Sequence, residues 1–366
     1  MKICGIIAEY NPFHNGHLHQ IRTANADITI AIMSGNFVQR GLPSCWDKRT
    51  RAKYALDNGI DLVLELPVDF AVASAERFAF GGVYILNALG IVDTICFGAE
   101  NNLDELEKTA ELIMDTDMKN VIETSPSDVP YHISRANAIG DNEILTKPNN
   151  ILAVEYLKAL KKLSSSIKPT VIERQGAGYN DISPKGGFAS ATFLRKALQE
   201  GGFEAFMPTP VPSSKIVTPD DFYPLLRYRI LQGDLSDIAE IREGIENRIM
   251  KTAYTAESFD ELVDSIKTKR YTRTSICRML MQSLLNIRKQ DLSEIPQYTR
   301  VLAATDKGCE LLKIARKASS IPIVTKGADI PKCRESELDS FATDIYALAT
   351  SSALRSDFTE MPHIKK

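Results

Sequence analysis

Three of the five histidines, His14, His17 and His19, fall in one short stretch, and the spacing of the first two can do chemistry. Residues three apart lie on one face of a helix start, so His14 and His17 would present their imidazoles together. They follow an apolar run, Ile3 to Ala8, and a turn, Asn11-Pro12-Phe13, with Gly16 between them. A strand that turns tightly into a helix offers its first backbone N–H groups and the positive end of the helix dipole to an anion. Histidines placed there would grip and polarise a phosphate. Two surface histidines or a pair of metal ligands would give the same pattern, but zinc needs a third nitrogen, sulfur or carboxylate ligand. No CxxC or HExxH accompanies the pair.

Further polar groups stand where other apolar runs end. Ser34-Gly35-Asn36-Phe37-Val38-Gln39-Arg40-Gly41 follows the second run, and Arg40 could reach a phosphate or carboxylate bidentately. Asp47 reads as a helix N-cap ahead of Lys48, Arg49 and Arg51, which form either a solvated face or a basic surface beside the crevice. Gly98 lets a flat ring or ribose approach the backbone closely. Asn149 and Asn150 could cap a helix or read an adenine edge. Ser190, Thr192 and Arg195 put two hydroxyls and a guanidinium at another helix N-terminus, a second place for an anion. Two such termini facing one crevice describe a triphosphate pocket.

The elements that must position these groups alternate. Strands are expected at Ile3 to Glu9, Thr29 to Ser34, Asp61 to Leu66, Thr94 to Gly98 and Thr170 to Glu173. Helices are expected at Asp47 to Asn58, Ser74 to Ala88, Leu103 to Met114, Ile151 to Leu163 and Ala191 to Gln199. Unbroken apolar strands between amphipathic helices mean a parallel sheet covered on both faces, a Rossmann-like α/β domain whose ligands bind outside the carboxyl ends of the strands. The proline-rich Met207 to Ser214 marks a stiff linker. Beyond it Phe222 to Gln232, Leu235 to Ala253, Phe259 to Ile266 and Thr274 to Ile287 read as helices, followed by a mixed segment around Ile321 to Thr325. The expected division is 1–207 for the nucleotide domain and 208–366 for a mostly helical one.

Composition sets the outer limits. A 366-residue chain with 44% hydrophobic and 25% charged residues is an ordinary globular protein of more than one domain. The six cysteines have no paired spacing and read as reduced, packed thiols. No apolar stretch approaches the roughly 18 residues that span a bilayer, and the first residues start a strand, so a cytoplasmic protein without a membrane partner is expected. A net charge of −3 argues against wholesale coating of nucleic acid and leaves room for a local patch. Lys267, Lys269, Arg270, Arg273 and Arg278, with Tyr271 among them, form such a patch, fit for RNA phosphates or simply a solvated helix face.

With Ser190, Thr192 and Arg195 late in the same domain, His14-Asn15-Gly16-His17 resembles the HxGH motif of the HIGH nucleotidyltransferase superfamily. Glu9 to His17, Ser34 to Gly41, Leu64-Glu65-Leu66-Pro67, Phe97-Gly98-Ala99-Glu100, Asn149 to Leu152 and Lys267 to Thr272 together resemble one family within it, the tRNA(Met) cytidine acetate ligases. Leu42 departs from that family's pattern, where an acidic residue is expected. The resemblance implies a ligase forming a carbon–nitrogen bond: ATP and acetate give acetyl-adenylate, and the acetyl group passes to N4 of the wobble cytidine, C34, of elongator tRNA(Met). It implies catalytic roles for His14 and His17. It also implies an ATP site formed by Ile7, Ala8, Glu9, Tyr10, Asn11, Pro12, Phe13, His14, Asn15, Gly16, His17, Leu18, His19 and Gln20, with Gly98, Asn149 or Asn150, Arg174, Ser190, Thr192 and Arg195, and with Mg²⁺ accompanying the nucleotide. The basic patch would then hold tRNA. Two other classes fit parts of the pattern: a small-molecule adenylyltransferase, which leaves the second domain without a task, and a non-catalytic RNA-binding protein, against which both histidines and Ser-x-Thr-x-x-Arg are intact.

Overall fold

The structure, a computed structural model, describes residues 1–117, 120–121, 131–140, 143–173, 187–242 and 244–366. In chain order the elements that matter for the site begin with β1 (Ile3–Ala8), α1 (Asn15–Ala24), β2 (Ile28–Ser34), the short β3 (Phe37–Val38) and β4 (Leu42–Pro43), α2 (Lys48–Asp57), β5 (Leu62–Leu66) and α3 (Val68–Ala71). They continue through α4 (Ala75–Ala88), β6 (Thr94–Ala99), α5 (Leu103–Asp115), α6 (Tyr131–Ile139), α7 (Pro148–Lys162), β7 (Lys168–Glu173) and α8 (Ala191–Glu200). A helical unit follows, α9 (Tyr223–Leu231), α10 (Ile245–Ala253), α11 (Phe259–Ile266) and α12 (Arg273–Leu284). The chain ends with β8 (Thr299–Thr305), α13 (Asp306–Ala318), β9 (Ile323–Val324), α14 (Arg334–Thr350), α15 (Ser356–Thr359) and β10 (His363–Lys365).

The main sheet runs β10-β8-β5-β2-β1-β6-β7, with β9 beside β8. From β5 to β7 every pairing is parallel, as the alternating pattern leads one to expect. Every residue of β2 is buried because both faces of the sheet are covered. Ile30 and Ile32 face one apolar layer with α4, α5 and α7, whereas Ala31 and Met33 face the other, with residues of α1, α2 and α8. The carboxyl ends of β1, β6 and β7 therefore open between two layers of helices, where a ligand can reach helix N-termini from both.

The far end of the chain departs from the expected division at 207/208. After the helical unit the backbone returns to the sheet: β8 pairs antiparallel with β5, and β10 pairs parallel with β8. β8, β9 and β10 thus extend the sheet of the nucleotide domain, whereas α14 packs in the core of the helical unit. Thr299 to Thr305 is a short apolar run whose neighbour in space, β5, lies far back in sequence, so local pattern gives no hint of the pairing. The proline-rich stretch is no free spacer either. Tyr54 Oη and Asn58 Nδ2 donate to Thr209, Trp46 Nε1 donates to the Ser214 carbonyl, and Val217 N donates to the Cys45 carbonyl, which straps it along α2. Among the described residues of the expected helix Leu235 to Ala253, those from Ile245 onward are helical. Leu235, Ile238 and Ile241 reach the core from turns, and Gly244 takes φ 78°, a left-handed conformation suited to glycine.

Candidate active site

The site grows from the end of β1. Tyr10 turns the chain at φ 46°, and His14 becomes the N-cap of α1. Its Nδ1 accepts the Gly16 N–H at 3.1 Å, while His17 Nδ1 accepts the His14 N–H at 3.2 Å. The two rings stack with centroids 3.8 Å apart. With each Nδ1 engaged as an acceptor, the proton of a neutral ring sits on Nε2, so both rings present donors beside the helix terminus. Tyr10 and Phe13, both buried, pack on His17 at 5.1 and 5.4 Å and fix its plane.

Beneath this turn lies Arg51. Its guanidinium donates to the carbonyls of Trp46, Glu9, Ser34 and Gly35, so one side chain ties the ends of β1 and β2 together. Burial lowers its pKa, and four carbonyl partners offset that cost. Lys48 is equally buried, ion-paired at 2.8 Å with both Glu65 and Asp357, and Arg49 pairs with Glu360 at 2.9 Å. Lys48, Arg49 and Arg51 are therefore neither a solvated face nor an extension of a basic surface toward the crevice. Their partners are backbone carbonyls and acids at the other end of the chain, which spacing alone does not announce.

On the opposite side of the crevice β6 and α7 are laced by amides. Asn150 is fully buried; its Oδ1 accepts the N–H groups of Glu100 and Asn101, and its Nδ2 donates to Asn101 Oδ1. Asn149 lines the crevice, and its Nδ2 donates to Glu100 Oε1. At α8, Ser190 Oγ caps the helix by accepting Phe193 N–H, and Thr192 Oγ1 accepts from Arg195. Arg195 also donates to the Asn11 carbonyl at 2.8 Å, joining α8 to the β1 turn, and Asn15 Nδ2 donates to the Gly187 and Ala205 carbonyls. Burial lowers the Arg195 pKa, against the pull of Glu9.

A cavity of about 230 Å³ occupies the space between these elements. Of the expected residues, Ile7, Ala8, Glu9, His14, Gly16, His17, His19, Gln20, Gly98, Asn149, Ser190 and Arg195 line it. Tyr10, Asn11, Phe13 and Asn150 lie behind the wall, buried, as supports. Pro12, Asn15, Leu18 and Thr192 are outside the lining, and Arg174 lies outside the described residues. The sequence reading gave no role to Phe78, Phe97, Leu152, Tyr156 and Phe188, which supply the apolar part of the wall. Phe97 stands next to Gly98 and was within reach of sequence reasoning; Phe78 and Tyr156 occupy ordinary core positions of α4 and α7. Gln39 and Arg40 complete the lining from the β3–β4 hairpin.

The patch at residues 267–278 divides in the structure. Lys267, Lys269 and Arg270 are exposed between α11 and α12. Arg273 is bound to Asp260 and Asp264, and Arg278 is largely buried, held by Glu240 at 2.8 Å. The α12 backbone abuts the hairpin: Gly41 at φ 69° lies so close that a Cβ there would stand 2.1 Å from the Arg278 backbone nitrogen. Leu42 belongs to the same hairpin and packs on the core of the helical unit.

A parallel sheet with a His-x-Gly-His helix start at the end of its first strand defines a HIGH nucleotidyltransferase, and the model of the HIGH Nucleotidyl Transferase family matches residues 1–360. Within that class the chain belongs to the tRNA(Met) cytidine acetate ligase family. The protein of that name from Thermoanaerobacter sp. (strain X514) is 43% identical over 383 residues, covering 95% of this chain and 96% of its own. Its counterpart from Clostridium perfringens (strain ATCC 13124) is 40% identical over 403 residues, with full coverage of both. The crystal structure of apo Thermotoga maritima TmcAL superposes with a TM-score of 0.90 at 32% identity, covering 100% of this chain and 99% of that one. The α-thio ATP-bound form of the same protein gives 0.87.

Proposed function

We propose that this protein is an ATP-dependent ligase that activates acetate as acetyl-adenylate and transfers the acetyl group to N4 of the wobble cytidine of elongator tRNA(Met). The observation that carries this reading is the pair of stacked imidazoles at the α1 terminus, both Nδ1 atoms engaged by backbone N–H groups, in a chain similar over its whole length to ligases of that name. A carboxylate oxygen of acetate attacks the α-phosphorus of ATP; the bond to the bridging oxygen of the β-phosphate breaks, and pyrophosphate leaves with the electron pair. Such a step asks the protein for alignment and for donors on developing charge. His14 and His17 supply donors at the α-phosphate. Gly98 and Asn149 flank the adenosine, Asn150 and Glu100 hold that wall, and Ser190, Thr192 and Arg195 stand at the terminus that receives the outer phosphates. The cytidine amine then attacks the acetyl carbonyl, AMP leaves, and the nitrogen loses a proton. No acyl carrier on the protein is needed, because the mixed anhydride is the activated donor.

Among the described residues no group of three or more His, Cys, Asp or Glu could hold a metal ion. Mg²⁺ accompanying the nucleotide would find the carboxylates Glu9 and Glu173 in the cavity wall; when bound it would neutralise charge on the departing pyrophosphate. Lys267, Lys269 and Arg270 offer the tRNA contacts. No described helix is long and apolar enough to cross a membrane.

The test is ATP with labelled acetate, with and without bulk tRNA, following both label and pyrophosphate. Label in tRNA only when ATP is present supports the ligase; adenylyl transfer to a small acceptor, or no turnover, overturns it. His14→Ala abolishes adenylate formation. Lys269→Ala with Arg270→Ala spares it and loses tRNA acetylation, and equal loss of both steps would refute that division of labour.

A further inference from the structure

The two ends of the crevice already discussed take the adenosine and the phosphates; a third end lies at the β3–β4 hairpin. Arg40 lines the cavity there, on a hairpin whose neighbouring residues are held from several directions. The neighbouring Gln39 N–H donates to Glu9 Oε1 at 2.8 Å, and Gln39 Nε2 donates to the Ala73 carbonyl at 3.1 Å. Gly41 is pressed against the Arg278 backbone, and Arg278 is fixed by Glu240. A hairpin so held is preorganised, since little loop freedom is left to lose on binding. Burial and the nearby Arg195 and Arg278 lower the Arg40 pKa from the usual value, with Glu9 opposing, yet an arginine stays charged throughout the working range.

Ala73 immediately precedes the first turn of α4, so the Gln39 bond brings the hairpin against that turn, and Phe78 lines the cavity from it. The wall that these two elements contribute thus includes a cation and an aromatic ring, with Ile7 packed against α4. A phosphate has no apolar end to place on such a wall; a short carboxylic acid has one.

We propose that Arg40 and Phe78 form the carboxylate subsite: Arg40 takes the two oxygens of acetate, and the Phe78 ring receives its methyl group and limits the length of acid that enters. This rests on the ligase reading above and deepens it, because acetate is otherwise inherited from the family. The fork of an arginine matches a carboxylate bidentately, which a lysine cannot do. The hairpin lies between the cavity and α12, whose backbone at Cys277 and Arg278 buttresses it.

The experiment is acetate-dependent ATP–pyrophosphate exchange, measured against acetate, propionate and ATP in turn, with ATP binding followed separately by displacement of a fluorescent analogue. Arg40→Ala is expected to raise the KM for acetate about tenfold or more while ATP binding changes less than about twofold, with Arg40→Lys in between. Phe78→Ala, and Phe78→Leu as the milder change, should raise the ratio of kcat/KM for propionate over acetate by about fivefold or more, the scale of one methylene in an apolar pocket. If Arg40→Ala weakens ATP as much as acetate, the arginine belongs to the phosphates and the subsite is overturned while the ligase reading stands. An unchanged propionate ratio in both Phe78 variants likewise overturns the wall. Absence of acetate-dependent exchange in the unaltered protein would overturn both.

Discussion

Two runs of cations look alike in sequence and have opposite fates. Lys48-Arg49-Thr50-Arg51 opens α2, and Lys267-Thr268-Lys269-Arg270 follows α11. In the first, Lys48 is 2% exposed between Glu65 and Asp357, and Arg300 completes a buried group of two cations and two carboxylates. In the second, the lysines and Arg270 stand in solvent. The difference is made by distant chain: Asp357 comes to Lys48 from 309 residues away. Charge spacing says where cations are; only the tertiary course says whether they hold the scaffold together or meet a partner.

The comparison can be broken most sharply at Lys48. Lys48→Met leaves two buried carboxylates facing Arg300, and removal of one partner from such a group costs about 3–5 kcal/mol. A large fall in the urea midpoint is expected, and a midpoint within error of the parent would show that the cluster is not a scaffold. Buried and exposed charge should also answer to different variables. Burial, with Asp69 and Asp339 nearby, raises the Glu335 pKa to about 9. The folded state keeps a proton there that the unfolded chain releases near pH 4.5, the ordinary value. Its stabilising contribution is whole below about pH 4.5 and is lost as the pH climbs through about 9. Glu335→Gln should flatten the fall of stability across that window, by up to about 1.4 kcal/mol per pH unit. An unchanged slope would mean that another group carries it. Asp357, held below the usual carboxylate range chiefly by Lys48 and Arg300 against its burial, has the opposite sign: its contribution stands above that range and is lost as the pH falls through its folded value.

The smallest effect on folding is expected at the exposed run. Lys269→Ala with Arg270→Ala should change stability by less than about 0.5 kcal/mol. The same pair should lower the slope of log tRNA affinity against log salt by about 1 to 2. If the slope stays and the urea midpoint falls, the patch is structural and the contrast with α2 disappears.

How much of this was legible follows the same division. The parallel core from β5 to β7, the His14–His17 helix start and the Ser190 cap were readable because each is set by residues a few positions apart: a strand period, a turn, a cap. The role of Arg51 was not, since its partners are main-chain carbonyls from two strands. Asn149 and Asn150 looked equivalent in sequence, and the fold separates them, one in the wall and one sealed behind it. Phe78 could not be told from a core residue, because a helix face turned to a crevice has the same periodicity as one turned to a core. The return of β8 and β10 to the sheet was hidden because antiparallel pairing with β5 spans more than two hundred residues.

That return bears on the order in which the molecule can be made. Every described residue that lines the cavity lies at or before Arg195, yet the sheet beneath them is finished only when residues 299–365 arrive. A nascent chain that has emerged as far as the helical unit carries β5 as an open edge and Lys48 with neither Asp357 nor Arg300 beside it. Long-range pairings of this kind form late, because their loops must close before their contacts form. The residues around the cavity are therefore synthesised well before the scaffold that aligns them can form, and the crevice takes its final shape only once residues 299–365 have left the ribosome.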